Sequence, residues 1–146
     1  MKDSKLIDKL NVLLSDYQIY YQNLRGFHWN IQGKHFFQLH EKFEELYLDT
    51  ATKIDDIAER ILTIDGQPLH SFEDYIATST IAPKKNVKDG EGAVSGIKSD
   101  LEELIKLQNE IKDIAAEAGD DATEDMMIGY NEQQQKTHWM MKAWLK

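Results

Sequence analysis

Gly66-Gln-Pro-Leu-His-Ser-Phe-Glu-Asp-Tyr-Ile-Ala-Thr-Ser-Thr-Ile-Ala-Pro-Lys-Lys-Asn-Val-Lys-Asp-Gly-Glu91 is the one long connection in a chain of 146 residues that otherwise reads as helix. It holds both prolines, with Ser71, Thr78, Ser79, Thr80 and the Lys84-Lys85 pair, and only residues 70–77 within it suit a short helix. Before it, Leu6, Leu10, Leu13, Tyr17, Tyr20 and Leu24 recur at threes and fours and predict a helix over about 4–31. Asn30-Ile-Gln-Gly33 ends that helix, with Gly33 available for a left-handed cap. Phe36, Leu39, Phe43, Leu46, Ile54, Ile57, Ala58 and Ile61 predict a second helix over about 35–64, stopped by Asp65-Gly66 and Pro68. After the connection, Val94, Ile97, Leu101, Leu104, Ile105, Ile111 and Ile114 give a third, over about 92–118. Gly119 breaks it, and Asp121-Ala-Thr-Glu124 reads as a capping box for a fourth helix over about 122–145, with Met127, Tyr130, Met141 and Trp144. Two short links and one long one predict an all-α four-helix bundle with a long crossover containing a short helix, in a single domain over 1–146.

Composition narrows the chemistry. With no cysteine, disulfides, thiolate catalysis and Cys-based zinc or iron–sulfur sites are excluded. Histidine, aspartate and glutamate remain as ligands, which suits iron, manganese or zinc. The net charge of −9 argues against binding driven by phosphate neutralisation and favours attraction of cations, although a negative surface also simply keeps a protein in solution. No apolar run approaches the roughly 20 residues that span a bilayer. Met1-Lys-Asp-Ser-Lys5 lacks the apolar stretch of a signal peptide, so a cytoplasmic location is expected.

The residues that carry chemistry are His28-Trp29, His40 and Asp55-x-x-x-Glu59. At roughly 100° per residue, Glu44, Asp55 and Glu59 fall about 40°, 60° and 100° round the second helix from His40, so the four share one face. Glu44 lies one turn beyond His40 and Glu59 one turn beyond Asp55, so each pair can converge on an ion. Yet at about 1.5 Å per residue, His40 and Asp55 are roughly 22 Å apart along the axis. A ligand sits about 2 Å from its metal, so both can serve one ion only if one of them comes from another subunit. The pattern predicts a metal site and an oligomer together. A solvated face, with Asp56 and Arg60 paired at i,i+4, is the competing reading, and His28 beside Phe27 and Trp29 would also suit a hydrogen-bonded core histidine. None of the five histidines has Glu three residues before it, which disfavours the Glu-x-x-His di-iron centre built inside one bundle.

His28-Trp-Asn-Ile-Gln-Gly33, Leu39-His-Glu-Lys-Phe43 and Asp55-Asp-Ile-Ala-Glu59-Arg60, at these intervals, resemble the Dps-type miniferritins, ferritin-like iron-storage and DNA-protection proteins. The resemblance covers essentially the whole chain. It implies a dodecameric hollow shell and ferroxidase centres at two-fold interfaces. Each centre would take His28 and His40 from one subunit and Asp55 and Glu59 from its partner. Fe²⁺ would be oxidised there, preferably by hydrogen peroxide, and stored as ferric mineral, with zinc a possible competitor. Trp29 matches the family tryptophan beside the centre, which is thought to take up oxidising equivalents; packing of the interface is its other role. The family commonly has Asp at the position of Glu44, so this chain departs there. Asp120, Asp121, Glu124 and Asp125 cluster before and within the fourth helix. Part of that cluster suits a helix N-terminus, and the resemblance places Asp120 and Asp125 at a three-fold pore for iron entry.

Two other functions compete. Some relatives compact DNA through a lysine-rich extension, but Lys2, Lys5 and Lys9 alternate here with Asp3 and Asp8, and Trp144-Leu-Lys146 is not a basic tail. Direct DNA binding is therefore not expected. A di-metal redox enzyme on the same bundle would need a pocket for an organic substrate.

Overall fold

Asp3 opens the first helix by accepting a hydrogen bond from the Leu6 amide at 3.0 Å, and the helix α1 then runs Ser4–Asn30. A computed structural model describes residues 3–146 as α1, α2 (Phe36–Thr63), α3 (Phe72–Thr78), α4 (Gly90–Glu117) and α5 (Asp121–Trp144). Met1 and Lys2, the latter among the N-terminal lysines weighed above, lie outside the described residues. There is no strand among the described residues, and no helix is long and apolar enough to cross a membrane. The bundle is all-α with the short helix in the crossover, as expected.

Boundaries differ from the sequence reading where a cap decides them. The Ser71 hydroxyl accepts from the Asp74 amide, so α3 begins at Phe72 rather than 70. Asp89 accepts from the Gly92 amide at 2.7 Å and starts α4 two residues earlier than expected. The capping box of the last helix shifts by one: Asp120, not Asp121, is the cap, accepting from the Thr123 amide at 3.0 Å. Asp120 can do this because α4 ends in a left-handed residue. Gly119 has φ 73°, its amide reaches Ala116 O, and the Asp120 amide reaches Ala115 O. One residue thus closes α4 and opens α5.

Amphipathic faces supply the core. Leu10, Leu13, Leu24, Phe43, Ile57, Ile61, Val94, Ile97, Leu104, Ile111 and Met127 are fully buried. Each contributes about 1.5–3 kcal/mol by leaving water. Mid-bundle, the apolar packing is interrupted by a closed polar layer. Tyr17 Oη donates to Gln108 Oε1, Gln134 Nε2 donates to Tyr17 Oη, and Gln108 Nε2 donates to Asn131 Oδ1 and Gln134 Oε1. Burial pushes the Tyr17 phenol well above its ordinary pKa, so the layer is neutral.

The crossover runs the length of the bundle beside α1 and is fastened at four heights. Asn11 Nδ2 donates to Gln67 O and its Oδ1 accepts from the Leu69 amide. The fully buried Asp16 carboxylate accepts from the Ser79 and Thr80 hydroxyls and from the Thr80 and Ile81 amides. Asn23 holds the Lys84 amide and Ala82 O, and bonds Asp100 of α4, which Lys84 also pairs. Finally, the Gln32 amide donates to Lys88 O at 2.8 Å. The chain therefore returns to the end at which α2 began, and α4 runs parallel to α2. At the far end Arg60 of α2 bonds Asp120 and Thr123 at the α4–α5 corner.

Two stability measurements follow. Asp16→Ala strands two amides and two hydroxyls in a buried setting and should cost at least about 3 kcal/mol in denaturant unfolding, whereas Asp16→Asn keeps an acceptor oxygen and should cost less. At the corner, burial raises the Asp120 pKa, but the Thr123 bonds and the Arg60 charge outweigh it and the net shift is downward from 3.8. A depressed carboxylate stabilises the fold above its unfolded value and loses that contribution as pH falls through the lower folded value. Asp120→Ala should cost about 1–2 kcal/mol near neutrality, and the gap to wild type should close as pH drops below 3.8.

Candidate metal centre

α1 and α2 form an antiparallel hairpin whose turn contains Gly33 at φ 112°. That turn sets His28, near the end of α1, opposite His40, one turn into α2. The pairing is reciprocal: His28 Nδ1 lies 2.6 Å from His40 O, and His40 Nδ1 lies 2.7 Å from His28 O. A carbonyl oxygen can only accept, so the hydrogen-bond network assigns the proton of each neutral ring to Nδ1 and leaves the lone pair on Nε2. The rings stack with centroids 3.8 Å apart and 12° between planes. Phe36 stacks on His40 at 4.9 Å, and Tyr47 meets His28 edge-on at 5.3 Å. His28 is buried and His40 half-buried. Two imidazoles are thus held with fixed tautomers and both Nε2 atoms free for a cation.

Glu44 joins them. Its Oε1 lies 3.6 Å from His28 Nε2, too long for a hydrogen bond but suited to two donors that each sit about 2 Å from a shared ion. Asp55 and Glu59 are exposed on α2, four and five turns along the helix from the histidines. Among the described residues no three His, Asp or Glu side chains converge into a metal site within the chain. The i,i+4 pairing of Asp56 with Arg60 that belongs to the competing solvated-face reading is not formed among the described residues. Arg60 spends its guanidinium on Asp120, at 2.8 Å, and on Thr123, where the helix cap offers a partly buried partner.

Trp29, next to His28 but turned about 100° round α1, is exposed and has the Arg25 guanidinium 5.2 Å from its ring centroid. It borders a groove of about 750 Å³ between α1, α3 and the crossover, which Phe72 and Ile76 also line. Trp29, Phe37, Leu48, Leu62, Phe72 and Ile76 are all exposed, each by more than half. Such an array, on α1, α2 and α3, leaves much apolar surface uncovered in a single chain. Of the acidic cluster, Asp120 is committed to Thr123 and Arg60, while Asp121 and Asp125 are exposed and, with Glu124, border a shallow open hollow.

Sequence reasoning missed Tyr47 and Phe36 as walls of the histidine pair. The available signal was spacing, since Phe36, His40, Glu44 and Tyr47 follow one another at fours and threes along one helical face.

The chain is similar to known proteins over nearly its whole length. Residues 7–146 match the ferritin-like domain. The DNA protection during starvation protein of Porphyromonas gingivalis is 40% identical over 139 residues, 95% of this chain and 87% of that one. Among solved structures, the Dps protein of Vibrio cholerae O1, described as a member of a broad superfamily of ferritin-like diiron-carboxylate proteins, superposes with a TM-score of 0.96 at 46% identity. That match covers 97% of this chain and 89% of the other. The Dps protein of Bacillus brevis matches over 100% of both chains, with a TM-score of 0.95 at 35% identity. The chain belongs to the Dps-type miniferritins of the ferritin-like family.

Proposed function

We propose that this protein is a ferroxidase and iron store, working as a homo-oligomeric shell of twelve subunits in which each oxidation site spans a two-fold interface. His28, His40 and Glu44 of one subunit would bind Fe²⁺ together with Asp55 and Glu59 of its partner. The observation that carries this reading is the reciprocal His28–His40 pair, which presents two Nε2 lone pairs beside Glu44 while Asp55 and Glu59 lie roughly 22 Å and 28 Å along the helix from His40. Only a second copy of α2, antiparallel to the first, brings both halves together, and it does so twice about one axis. The exposed apolar residues of α1, α2 and α3 are the surface such a partner would cover.

The residues suit the chemistry. Imidazole binds Fe²⁺ well, and carboxylate oxygens favour the ferric product. Hydrogen peroxide takes two electrons, so two Fe²⁺ oxidised together reduce it to water without releasing hydroxyl radical. The fixed tautomers keep both imidazoles ready to bind without reorganisation. The same donor set accepts zinc, which would compete for the site without turning over. The exposed carboxylates of Asp121 and Asp125, with Glu124, would draw cations to a three-fold pore, while Asp120 shapes the corner that displays them. Trp29, at the edge of the covered surface, would pack the interface.

Stoichiometric Fe²⁺ with peroxide should be oxidised faster by the protein than by buffer, with the iron retained on size exclusion. His28→Ala combined with His40→Ala should remove the acceleration; an unchanged rate sinks the reading. A mixing experiment tests the shared site directly. The double histidine variant and an Asp55→Ala/Glu59→Ala variant should each be inactive alone. Co-assembled in equal amounts, they should regain about a quarter of the wild-type sites, because random pairing across a two-fold rebuilds one intact site in each mixed dimer. No recovery from properly assembled mixtures would place the four ligands otherwise.

A further inference from the structure

The α1–α2 hairpin pairs more than histidines. Tyr21 stands two turns before His28 on α1 and Tyr47 two turns after His40 on α2, so the same antiparallel register that stacks the imidazoles also brings the two phenols together. Tyr47 meets the His28 ring at 5.3 Å and 76°, and Tyr21 meets Tyr47 at 5.9 Å and 82°. The Arg25 guanidinium lies 4.8 Å from the Tyr21 centroid and 5.2 Å from that of Trp29. An unbroken line of ring contacts therefore leads from the donor pair to Tyr47 and Tyr21, and a cation separates its end from the indole.

We propose that Tyr47, backed by Tyr21, is a one-electron store for the iron site, used when peroxide meets a site that holds a single Fe²⁺. This rests on the ferroxidase reading above. In that half-loaded state one Fe²⁺ and H₂O₂ give Fe³⁺, hydroxide and a hydroxyl radical. The Tyr47 phenol gives its hydrogen atom to the radical, forming water and a neutral tyrosyl radical. Electron and proton transfer from Tyr21 can move the vacancy one ring outward, restoring the Tyr47 phenol. A second Fe²⁺ then supplies one electron and solvent one proton, regenerating tyrosine and leaving Fe³⁺. The sum is two Fe²⁺ oxidised per peroxide, with no radical released. Arg25 favours tyrosine over Trp29 as the resting place. Its fixed positive charge opposes an indole radical cation, whereas a phenoxyl radical that has lost its proton carries no charge.

The test uses the assembled protein loaded with fewer Fe²⁺ than sites, mixed with peroxide and freeze-quenched for electron paramagnetic resonance. Wild type should show a tyrosyl signal, and its hyperfine pattern should change when fluorotyrosine replaces tyrosine throughout. Tyr47→Phe keeps the ring and should lose most of the signal, with more hydroxyl radical captured by an added spin trap. Trp29→Phe should retain the tyrosyl signal. Three results overturn the proposal: no tyrosyl radical in wild type that does accelerate iron oxidation, an undiminished signal in Tyr47→Phe, or its loss in Trp29→Phe. Wild type that fails to accelerate iron oxidation at all would instead overturn the ferroxidase reading, and the relay with it; stopped-flow absorbance on the same samples separates the two failures.

Discussion

A buried carboxylate with four donors around it organises this molecule. Asp16 has no access to water, and an ionised group in that position is tolerable only if its lone pairs are met. They are met by Ser79, Thr80 and Ile81, which have nothing helical to contribute and would otherwise leave their own amides unpaired. The bond set therefore forces an irregular segment to lie along α1. With Asn23 repeating the arrangement two turns on, the crossover is carried to the end of the bundle from which α4 can start. The parallel placement of α2 and α4, and the corner where Arg60 meets Asp120, follow from that path.

The interior and the boundary of the bundle divide the polar work between them. Inside, Tyr17, Gln108, Asn131 and Gln134 satisfy one another without any charge. At the boundary, imidazole and carboxylate groups remain available. These groups lie on the α1–α2 face, where His28 is buried, His40 is half-buried and Asp55 and Glu59 of α2 are exposed. The reciprocal backbone bonds of His28 and His40 serve both roles, locking the hairpin and setting the tautomers.

The four long helices were legible because their apolar residues recur at threes and fours, a signal spread over seven or eight turns each. The histidine and carboxylate positions on α2 followed from the same arithmetic, which also separated His40 from Asp55. What escaped was whatever depends on distant partners. Asp16 and Asn23 look in sequence like ordinary polar residues on a helix, and only their burial against residues more than sixty positions away reveals them. Asp120 and Asp121 are equivalent as letters; the left-handed Gly119 decides which one caps α5. Arg60 had a textually adjacent acid in Asp56 and chose another across the bundle, because a partly buried cap oxygen binds a guanidinium more firmly than an exposed side chain does.

The shortness of the link between α4 and α5, only Ala118, Gly119 and Asp120, bears on how the chain folds. Asp120 joins two helices through contacts between near neighbours in sequence, so that hairpin closes a short loop and can form early. The Asp16 cluster needs a loop of 63 residues to close before its first bond to Ser79 rewards it. Docking of the crossover therefore waits on a longer chain closure than the contacts of the α4–α5 hairpin do. The groove that it shapes beside Trp29 accordingly depends on that long closure, and a partner laid over it would hold the crossover against α1 once docked.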